Sequence, residues 1–336
     1  MNDILTNVEF CSLFTGTNGR RGCTGNCAGC FTGKIAYNHN KYQGHVDQVH
    51  ELLSILPNLK RVLIFGNPDP TVDPEFCNAT AKILQSKGIE VLFTTNGTGT
   101  IETVKRIIEG LDLSLVSTFS FSVDSLDEKM NAKIKRTFVS LQNIFESMNY
   151  LLNLNICVQT LFTVWPTNQD EDWKAYVDFF ESRGVCVGHG VGCIQTAEEK
   201  IAHVSEKKLL EMREKYSEVG LATILATDEE YEEYLLTYVH GNRLKCTNYK
   251  NLTVYFTEKE IKATYLCTIL SSIYPEYLMN ISDLAPHKFY ENTRKTGICP
   301  VAKEAMGFES VNLKPVCRHY VQKPREFVTV QSVLSF

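Results

Sequence analysis

The chain has 336 residues, 43% hydrophobic and 22% charged, which is typical of a globular protein. Its formal charge of −5 argues against a nucleic-acid partner, because such partners usually require a basic face. No apolar stretch is long enough to span a bilayer, and the opening segment MNDILTNVEF lacks the features of a secretion signal. We therefore expect a cytoplasmic protein whose 12 cysteines are metal ligands and buried thiols rather than disulfides.

Apolar, β-branched runs recur along the first part of the chain, and we interpret each as a strand. The predicted strands are Val8–Leu13, Arg61–Phe65, Glu90–Thr94, Thr118–Ser122, Ile156–Phe162 and Val185–Gly188. After the long first interval, their spacing is close to the roughly thirty residues of a βαβ unit.

Helical segments are predicted between these strands. Asp73 can cap a helix with Pro74 in its first turn and Gly88 at its end. His45–Leu56 and Asp170–Arg183 are predicted helices as well. One long helix is expected from apolar residues that recur every three or four positions, namely Met130, Ile134, Phe138, Leu141, Ile144, Phe145, Met148 and Leu152. Strands that alternate with helices predict an α/β fold with a parallel sheet, either open or rolled into a barrel.

Three cysteines, Cys23, Cys27 and Cys30, lie in the segment GRRGCTGNCAGCF after the first predicted strand. Thiolates at this CxxxCxxC spacing can hold three irons of a 4Fe–4S cluster and leave the fourth iron without a protein ligand. An iron with an open position can bind a substrate or cosubstrate. The alternative is a zinc site completed by a neighbouring cysteine or histidine.

This motif resembles the signature of the radical S-adenosylmethionine (radical SAM) superfamily. The resemblance implies that the open iron chelates SAM, and that one electron cleaves SAM to methionine and a 5′-deoxyadenosyl radical, which takes a hydrogen atom from the substrate. It also implies a partial (β/α)6 TIM-type barrel over residues 1–220 and an electron donor such as a flavodoxin or ferredoxin. Gly29 departs from the superfamily pattern, which usually has an aromatic residue before the last cysteine.

Two strand ends resemble SAM-binding segments of the superfamily. After the second predicted strand, GNPDP stands where Gly-Gly-Glu-Pro usually binds the SAM amino group. Gly66 matches the first glycine, Asn67 and Pro68 replace the next two residues, and Asp69 is the candidate carboxylate. The third strand ends in FTTNG, where the resemblance assigns Asn96 to the adenosine part of SAM. Plain turns are the alternative for both segments.

The fourth strand leads into FSVDSLDEKMNAKIKR, which resembles the ribose-binding segment of the superfamily. The resemblance assigns Ser122 and Asp124 to the ribose and Arg136 to the SAM carboxylate. Lys133 and Lys135 are rivals for the basic role. A helix cap followed by solvated lysines accounts for the same residues without a ligand.

Four later cysteines predict a second metal site. Two alternating runs around the turn TEKE predict a β-hairpin with Cys246 and Cys267 near its open end, and Cys299 and Cys317 complete the set. This resembles the twitch or SPASM extension of radical SAM enzymes, although Lys262 replaces a usual glycine. The resemblance implies that residues 221–336 form a small α+β domain that binds an auxiliary 4Fe–4S cluster. A zinc site and scattered structural cysteines are the alternatives.

Four other cysteines lie in or beside apolar runs, and we expect them in the core; they are Cys11, Cys77, Cys157 and Cys186. The whole pattern predicts a radical SAM enzyme that acts on a peptide or small metabolite by dehydrogenation, cross-linking, epimerisation or isomerisation. A non-catalytic Fe–S or zinc module is the alternative of another class. A nucleic-acid-modifying radical enzyme is the third, and the acidic composition disfavours it.

Overall fold

The structure is a computed structural model and describes residues 5–14, 23–25, 27, 45–65, 69–191, 206–216, 225–227, 251–257, 259–264, 278–284 and 313–315. The strands are β1 (Phe10–Phe14), β2 (Arg61–Ile64), β3 (Glu90–Thr95), β4 (Val116–Ser122), β5 (Val158–Val164), β6 (Cys186–Val191), β7 (Leu225–Thr227), β8 (Asn251–Phe256), β9 (Ile261–Thr264), β10 (Met279–Asn280) and β11 (Leu313–Pro315). The helices are α1 (Asp47–Ile55), α2 (Pro74–Gln85), α3 (Ile101–Ile108), α4 (Glu128–Lys135), α5 (Leu141–Asn153), α6 (Trp173–Glu181) and α7 (Glu206–Lys215).

Among the described residues, the main sheet has nine strands in the order β10-β9-β8-β1-β2-β3-β4-β5-β6, and β7 pairs with β11 in a separate two-stranded sheet. Strands β1 to β6 are parallel and lie side by side in chain order. This confirms the predicted α/β fold with a parallel sheet and all six predicted strands, with ends shifted by a few residues. The sequential order is consistent with the predicted partial barrel.

One face of the sheet carries the core, and the other is partly open. Residues along β3 and β5 alternate between buried and half-buried positions. Val91 and Phe93 of β3 belong to the same core cluster as Ile107 of α3 and Leu151 of α5. The helices therefore cover one face, while the half-buried side chains line the other, where a ligand can approach.

The helix after β2 begins and ends as predicted. The carboxylate of Asp73 accepts a hydrogen bond from the Phe76 amide, Pro74 occupies the first position, and Gly88 has a positive φ of 72°. Helix α3 was not predicted from the sequence, although Thr100 caps it by accepting a hydrogen bond from the Thr103 amide.

The single long helix predicted over Met130–Leu152 is wrong, because the segment forms two helices. Arg136 takes a left-handed conformation with a φ of 49° and ends α4. Ser140 then caps α5 by accepting a hydrogen bond from the Asn143 amide. Phe138 lies between the helices and is 75% exposed. The apolar period continues through both helices, so periodicity alone could not reveal the break.

The predicted C-terminal hairpin is confirmed, since β8 and β9 pair antiparallel with Phe256 opposite Ile261. The hairpin continues the main sheet, because β8 pairs parallel with β1 and Asn251 lies opposite Phe10. Its open end therefore lies at the amino edge of the sheet. The four predicted auxiliary ligands, Cys246, Cys267, Cys299 and Cys317, lie outside the described residues.

Two of the four predicted core cysteines are buried, and two are not. Cys11 and Cys77 are 0% and 2% exposed. Cys157 is half-buried and Cys186 is exposed, because both lie at the amino edge of the sheet, where β5 and β6 begin. None of the helices in the described part of the chain combines the length and apolarity that a membrane span requires.

Candidate functional site

The candidate site lies at the carboxyl edge of the parallel sheet. The cysteine loop follows β1, Asp69 follows β2, Asn96 follows β3, and Ser122 is the last residue of β4. Because the carboxyl ends of parallel strands meet at one edge, these segments converge in space although they are far apart in sequence.

Hydrogen bonds fasten the cysteine loop to the end of β3. The Asn96 side chain donates from Nδ2 to Cys23 Sγ at 3.0 Å, and the Gly25 amide donates to the same sulfur at 3.3 Å. The hydroxyls of Thr24 and Thr98 also form a hydrogen bond. The structure thus brings together Cys23 and Asn96, two residues that the sequence analysis had assigned to different ligands.

The described cysteines of the loop fit a shared metal cluster. A Cβ placed on Gly25 would lie 3.4 Å from Cys27 Sγ and 3.6 Å from Cys23 Sγ, so both sulfurs border the space that the missing side chain leaves free. Thiolate sulfurs are the ligands that Fe–S clusters use. Within the described residues no three metal-binding side chains lie close enough to hold an ion, and Cys30, the third predicted ligand, is outside them.

Asp69 braces the strand ends from a buried position. Its Oδ1 accepts hydrogen bonds from the Thr71 amide at 2.9 Å, the Thr71 hydroxyl at 2.6 Å and the Thr95 hydroxyl at 2.8 Å. Its Oδ2 accepts a hydrogen bond from the Asn96 amide at 2.6 Å. Asp69 is 3% exposed, so its carboxylate holds the turn after β2 against the end of β3. Its predicted neighbours Gly66 and Asn67 lie outside the described residues.

A buried lysine ties β3 to β4. Lys135 is 1% exposed, and its Nζ donates to the Asn96 carbonyl at 2.7 Å and to the Ser122 carbonyl. The same ammonium lies 3.9 Å from Asp124 Oδ2. Arg136, the predicted basic residue, is exposed at the end of α4. Lys135, one of the rivals for the basic role, thus reaches the ends of both strands.

Asp124 is also buried and internally bonded. Its Oδ1 accepts a hydrogen bond from the Thr163 amide of β5, and its carbonyl accepts one from Asn168 Nδ2 at 2.8 Å. Burial raises the pKa of Asp124, while Lys135 and the Thr163 amide act in the opposite direction. Asp124 therefore connects β4 to β5 and to the segment before α6.

The polar residues that hold this edge together were not predicted from the sequence. Thr71, Thr95 and Asn168 are buried and bonded to Asp69 or Asp124. The polar run TTNG at the end of an apolar strand could have indicated them, because polar side chains that are buried at a strand end need hydrogen-bond partners nearby. Nothing in the sequence distinguishes the buried Lys135 from the exposed Lys133, which lies on the same helix.

Residues 17–180 match the protein-family model of the radical SAM superfamily. No curated protein matches the chain. Among solved structures, Streptococcus suis SuiB bound to the precursor peptide SuiA is 13% identical with a TM-score of 0.57, over 88% of this chain and 67% of SuiB. The enzyme anSMEcpe with bound AdoMet is 12% identical with a TM-score of 0.57, over 97% of this chain and 94% of anSMEcpe. A second anSMEcpe structure, with AdoMet and the Cp18Cys peptide, has a TM-score of 0.55 at 12% identity, over 97% and 98% of the two chains.

Because the sequence identities are low, these likenesses show the fold alone. The family match by itself shows a radical SAM superfamily domain over residues 17–180. The superfamily is the one that the CxxxCxxC motif had indicated.

Proposed function

We propose that this chain is a radical SAM enzyme that cleaves SAM reductively and removes a hydrogen atom from a peptide. The observation that carries the proposal is the position of the cysteine loop. Cys23 contacts Asn96 at the carboxyl edge of the sheet, where the other proposed SAM contacts follow their own strands. The family match covers this whole region.

The proposed ligands of the cluster are Cys23, Cys27 and Cys30. When bound, a 4Fe–4S cluster at such a site supplies the electron that splits SAM into methionine and a 5′-deoxyadenosyl radical, with a flavodoxin or ferredoxin as the reductant. The protein contributes orientation of SAM against one substrate C–H bond and exclusion of solvent. The half-buried face of the sheet offers the space for this.

Two of the proposed SAM contacts are buried carboxylates. Asp69 and Asp124 are buried and accept bonds within the protein, which favours a role in shaping the site over direct contact. Ser122 remains the proposed ribose contact and Arg136 the proposed carboxylate partner. Gly66 and Asn67 remain the proposed contacts of the SAM amino group, and Asn96 that of the adenosine part.

The structural relatives support a peptide as the substrate. SuiB was solved with a precursor peptide and anSMEcpe with the Cp18Cys peptide. A small metabolite is the other substrate class that the sequence predicts. Dehydrogenation, cross-linking, epimerisation and isomerisation are all reactions open to the substrate radical.

The auxiliary 4Fe–4S cluster is also a proposal, with Cys246, Cys267, Cys299 and Cys317 as its ligands. The hairpin supports it, because Thr264, the last residue of β9, lies only three residues before Cys267. The open end of the hairpin lies at the amino edge of the sheet, opposite the edge reached by Cys23. A fully ligated cluster there is suited to electron transfer, either accepting the electron of a substrate radical or relaying one inward.

Anaerobic reconstitution tests the SAM chemistry. The chain is loaded with iron and sulfide and then given dithionite and SAM, and 5′-deoxyadenosine is measured. We expect wild type and Cys186→Ser to release it, because Cys186 lies at the other edge of the sheet, and Cys27→Ala to release none. Mononuclear zinc at the loop thiols in oxygen-protected protein, with no 5′-deoxyadenosine, would contradict the proposal.

Deuterium transfer tests the substrate class. The natural host is grown in deuterated medium, and its extract is divided into a peptide fraction and a small-metabolite fraction. Deuterium should enter 5′-deoxyadenosine from the peptide fraction. Transfer from the metabolite fraction alone would replace the peptide with a metabolite and leave the SAM chemistry intact.

A further inference from the structure

We propose that Asn96 is a positioning residue that sets the reduction potential of the loop cluster through an N–H···S hydrogen bond to Cys23. The inference rests on the proposed function, because it requires the cysteine loop to hold a cluster. It goes beyond the adenosine contact assigned to Asn96, since it concerns a metal-ligand sulfur rather than SAM.

The orientation of the Asn96 amide follows from its other contacts. Its Oδ1 accepts two hydrogen bonds from Thr98, from the amide at 2.8 Å and from the hydroxyl at 2.6 Å. Reversing the amide would place an NH2 group against the Thr98 amide, which can only donate. The nitrogen must therefore face Cys23, whose sulfur lies 3.0 Å away.

The backbone of Asn96 is held by hydrogen bonds at both its amide and its carbonyl. Its amide donates to Asp69 Oδ2 at 2.6 Å, and its carbonyl accepts from Lys135 Nζ at 2.7 Å. Both partners are almost fully buried, with exposures of 3% and 1%. The donor is thus fixed by the fold before any cluster is present, so the bond requires little reorganisation.

A fixed N–H donor stabilises the more negative state of the cluster. One-electron reduction adds negative charge, part of which resides on the ligand sulfurs, and a hydrogen bond to charged sulfur is stronger than one to neutral sulfur. Hydrogen bonds to the sulfurs are among the factors that set Fe–S potentials. Asn96 therefore makes the cluster easier for a flavodoxin or ferredoxin to reduce.

Potentiometric titration followed by electron paramagnetic resonance tests the assignment. In reconstituted Asn96→Leu, we expect the reduced-to-oxidised ratio at a fixed potential to fall about tenfold, which is 59 mV for a one-electron couple. Asn96→Asp keeps an acceptor for Thr98 but places a negative charge beside the cluster. That charge disfavours reduction, so the reduced-to-oxidised ratio should fall further than in Asn96→Leu. The matched control is Asn58→Leu, the same substitution at an exposed asparagine that contacts the Thr6 carbonyl.

A second measurement does not depend on the variants folding. Wild type labelled with nitrogen-15 in asparagine side chains should show hyperfine coupling of one nitrogen to the reduced cluster, and Asn96→Asp should lack it. A wild type that binds a cluster and cleaves SAM but shows no such coupling, or whose potential equals that of Asn96→Leu, would overturn this inference alone. A wild type that assembles no cluster would overturn the proposed function, and this inference with it.

Discussion

The two edges of the parallel sheet are built in different ways. At the carboxyl edge, buried polar side chains tie neighbouring strand ends together, as Asp69 does for β2 and β3 and Lys135 for β3 and β4. At the amino edge, Glu90 Oε2 and Ser117 Oγ are buried, but other polar groups are accessible, as in the exposed pair of Lys60 and Glu9 and the exposed thiol of Cys186. Buried polar groups are costly unless every one is bonded, so a fold that carries them gains fixed geometry rather than stability. The rigid edge is the one that holds the candidate site.

Removing the buried ammonium should produce the largest effect on stability. In Lys135→Met, the Asn96 and Ser122 carbonyls lose their shared donor, and Asp124 loses its nearby positive charge. We expect the free energy of unfolding to fall by about 3–5 kcal/mol, the usual cost of breaking a buried ion pair from one side. Urea denaturation of the cluster-free protein measures it. A loss below about 1 kcal/mol would mean that the two edges do not differ in the way described.

A pair of glycine substitutions separates backbone strain from packing at the carboxyl edge. Gly97 and Gly88 both have positive φ, at 77° and 72°. A Cβ at Gly97 would lie 2.7 Å from Ile144 Cδ1, whereas one at Gly88 would have no atom of the described residues within 4 Å. Gly88→Ala should cost about 1 kcal/mol from the left-handed backbone. Gly97→Ala should cost about 2–4 kcal/mol, because overpacking is added to the same strain.

Thermal or urea unfolding of Gly88→Ala and Gly97→Ala under the same conditions measures the two losses in stability. Equal losses would show that Ile144 moves aside at little cost. The close packing of α5 against the residues after β3 would then not make the carboxyl edge rigid.

The elements could be predicted from the sequence better than the contacts between them. The recurring apolar, β-branched runs predicted six strands correctly, because each such strand places one face in the core. The break at Arg136 could not be predicted, because a left-handed residue between two helices of matching period leaves no mark on the apolar pattern. The pairing of β8 with β1 is a contact between distant segments, and no local pattern encodes it.

The strands that lead to the candidate site could be predicted from the sequence, whereas the roles of the site residues stay predictions. Asp69 and Asn96 follow β2 and β3, and Ser122 ends β4. The burial of Asp69 and Lys135, and the bond from Asn96 to Cys23, depend on which strand ends adjoin one another. Sequence spacing gives the order of these groups, whereas their partners follow only from the assembled sheet.

Cysteine reactivity gives a kinetic test of the amino edge. A hydrogen bond from Cys157 lowers the pKa of the Cys186 thiol to about 7, although burial and the charge of Glu181 oppose the shift. Because the thiolate is the nucleophile, alkylation of Cys186 by iodoacetamide should rise with pH and reach half its maximum near that value. Burial raises the pKa of Cys11 and Cys77, which should not react in the folded protein.

Replacing the donor provides the control for this test. In Cys157→Ala, the midpoint for Cys186 should move up towards the ordinary thiol value, and alkylation at pH 7 should slow about fivefold, since a lower thiolate fraction outweighs higher intrinsic nucleophilicity. Mass spectrometry of the Cys186 peptide gives the rate. An unchanged pH midpoint in the variant would rule out Cys157 as the cause.

The smallest effect is expected for the exposed ion pair that joins the segments before β1 and β2. Lys60 Nζ lies 3.1 Å from Glu9 Oε1, and the two side chains are 67% and 38% exposed. Water and salt screen such a pair, so Lys60→Met should cost no more than about 0.2–1 kcal/mol, and less in 1 M salt. The substitution is chemically the same as Lys135→Met, so urea denaturation of the two variants compares the edges directly. If Lys60→Met and Lys135→Met lost equal stability, burial of the lysine would not be what distinguishes the carboxyl edge from the amino edge.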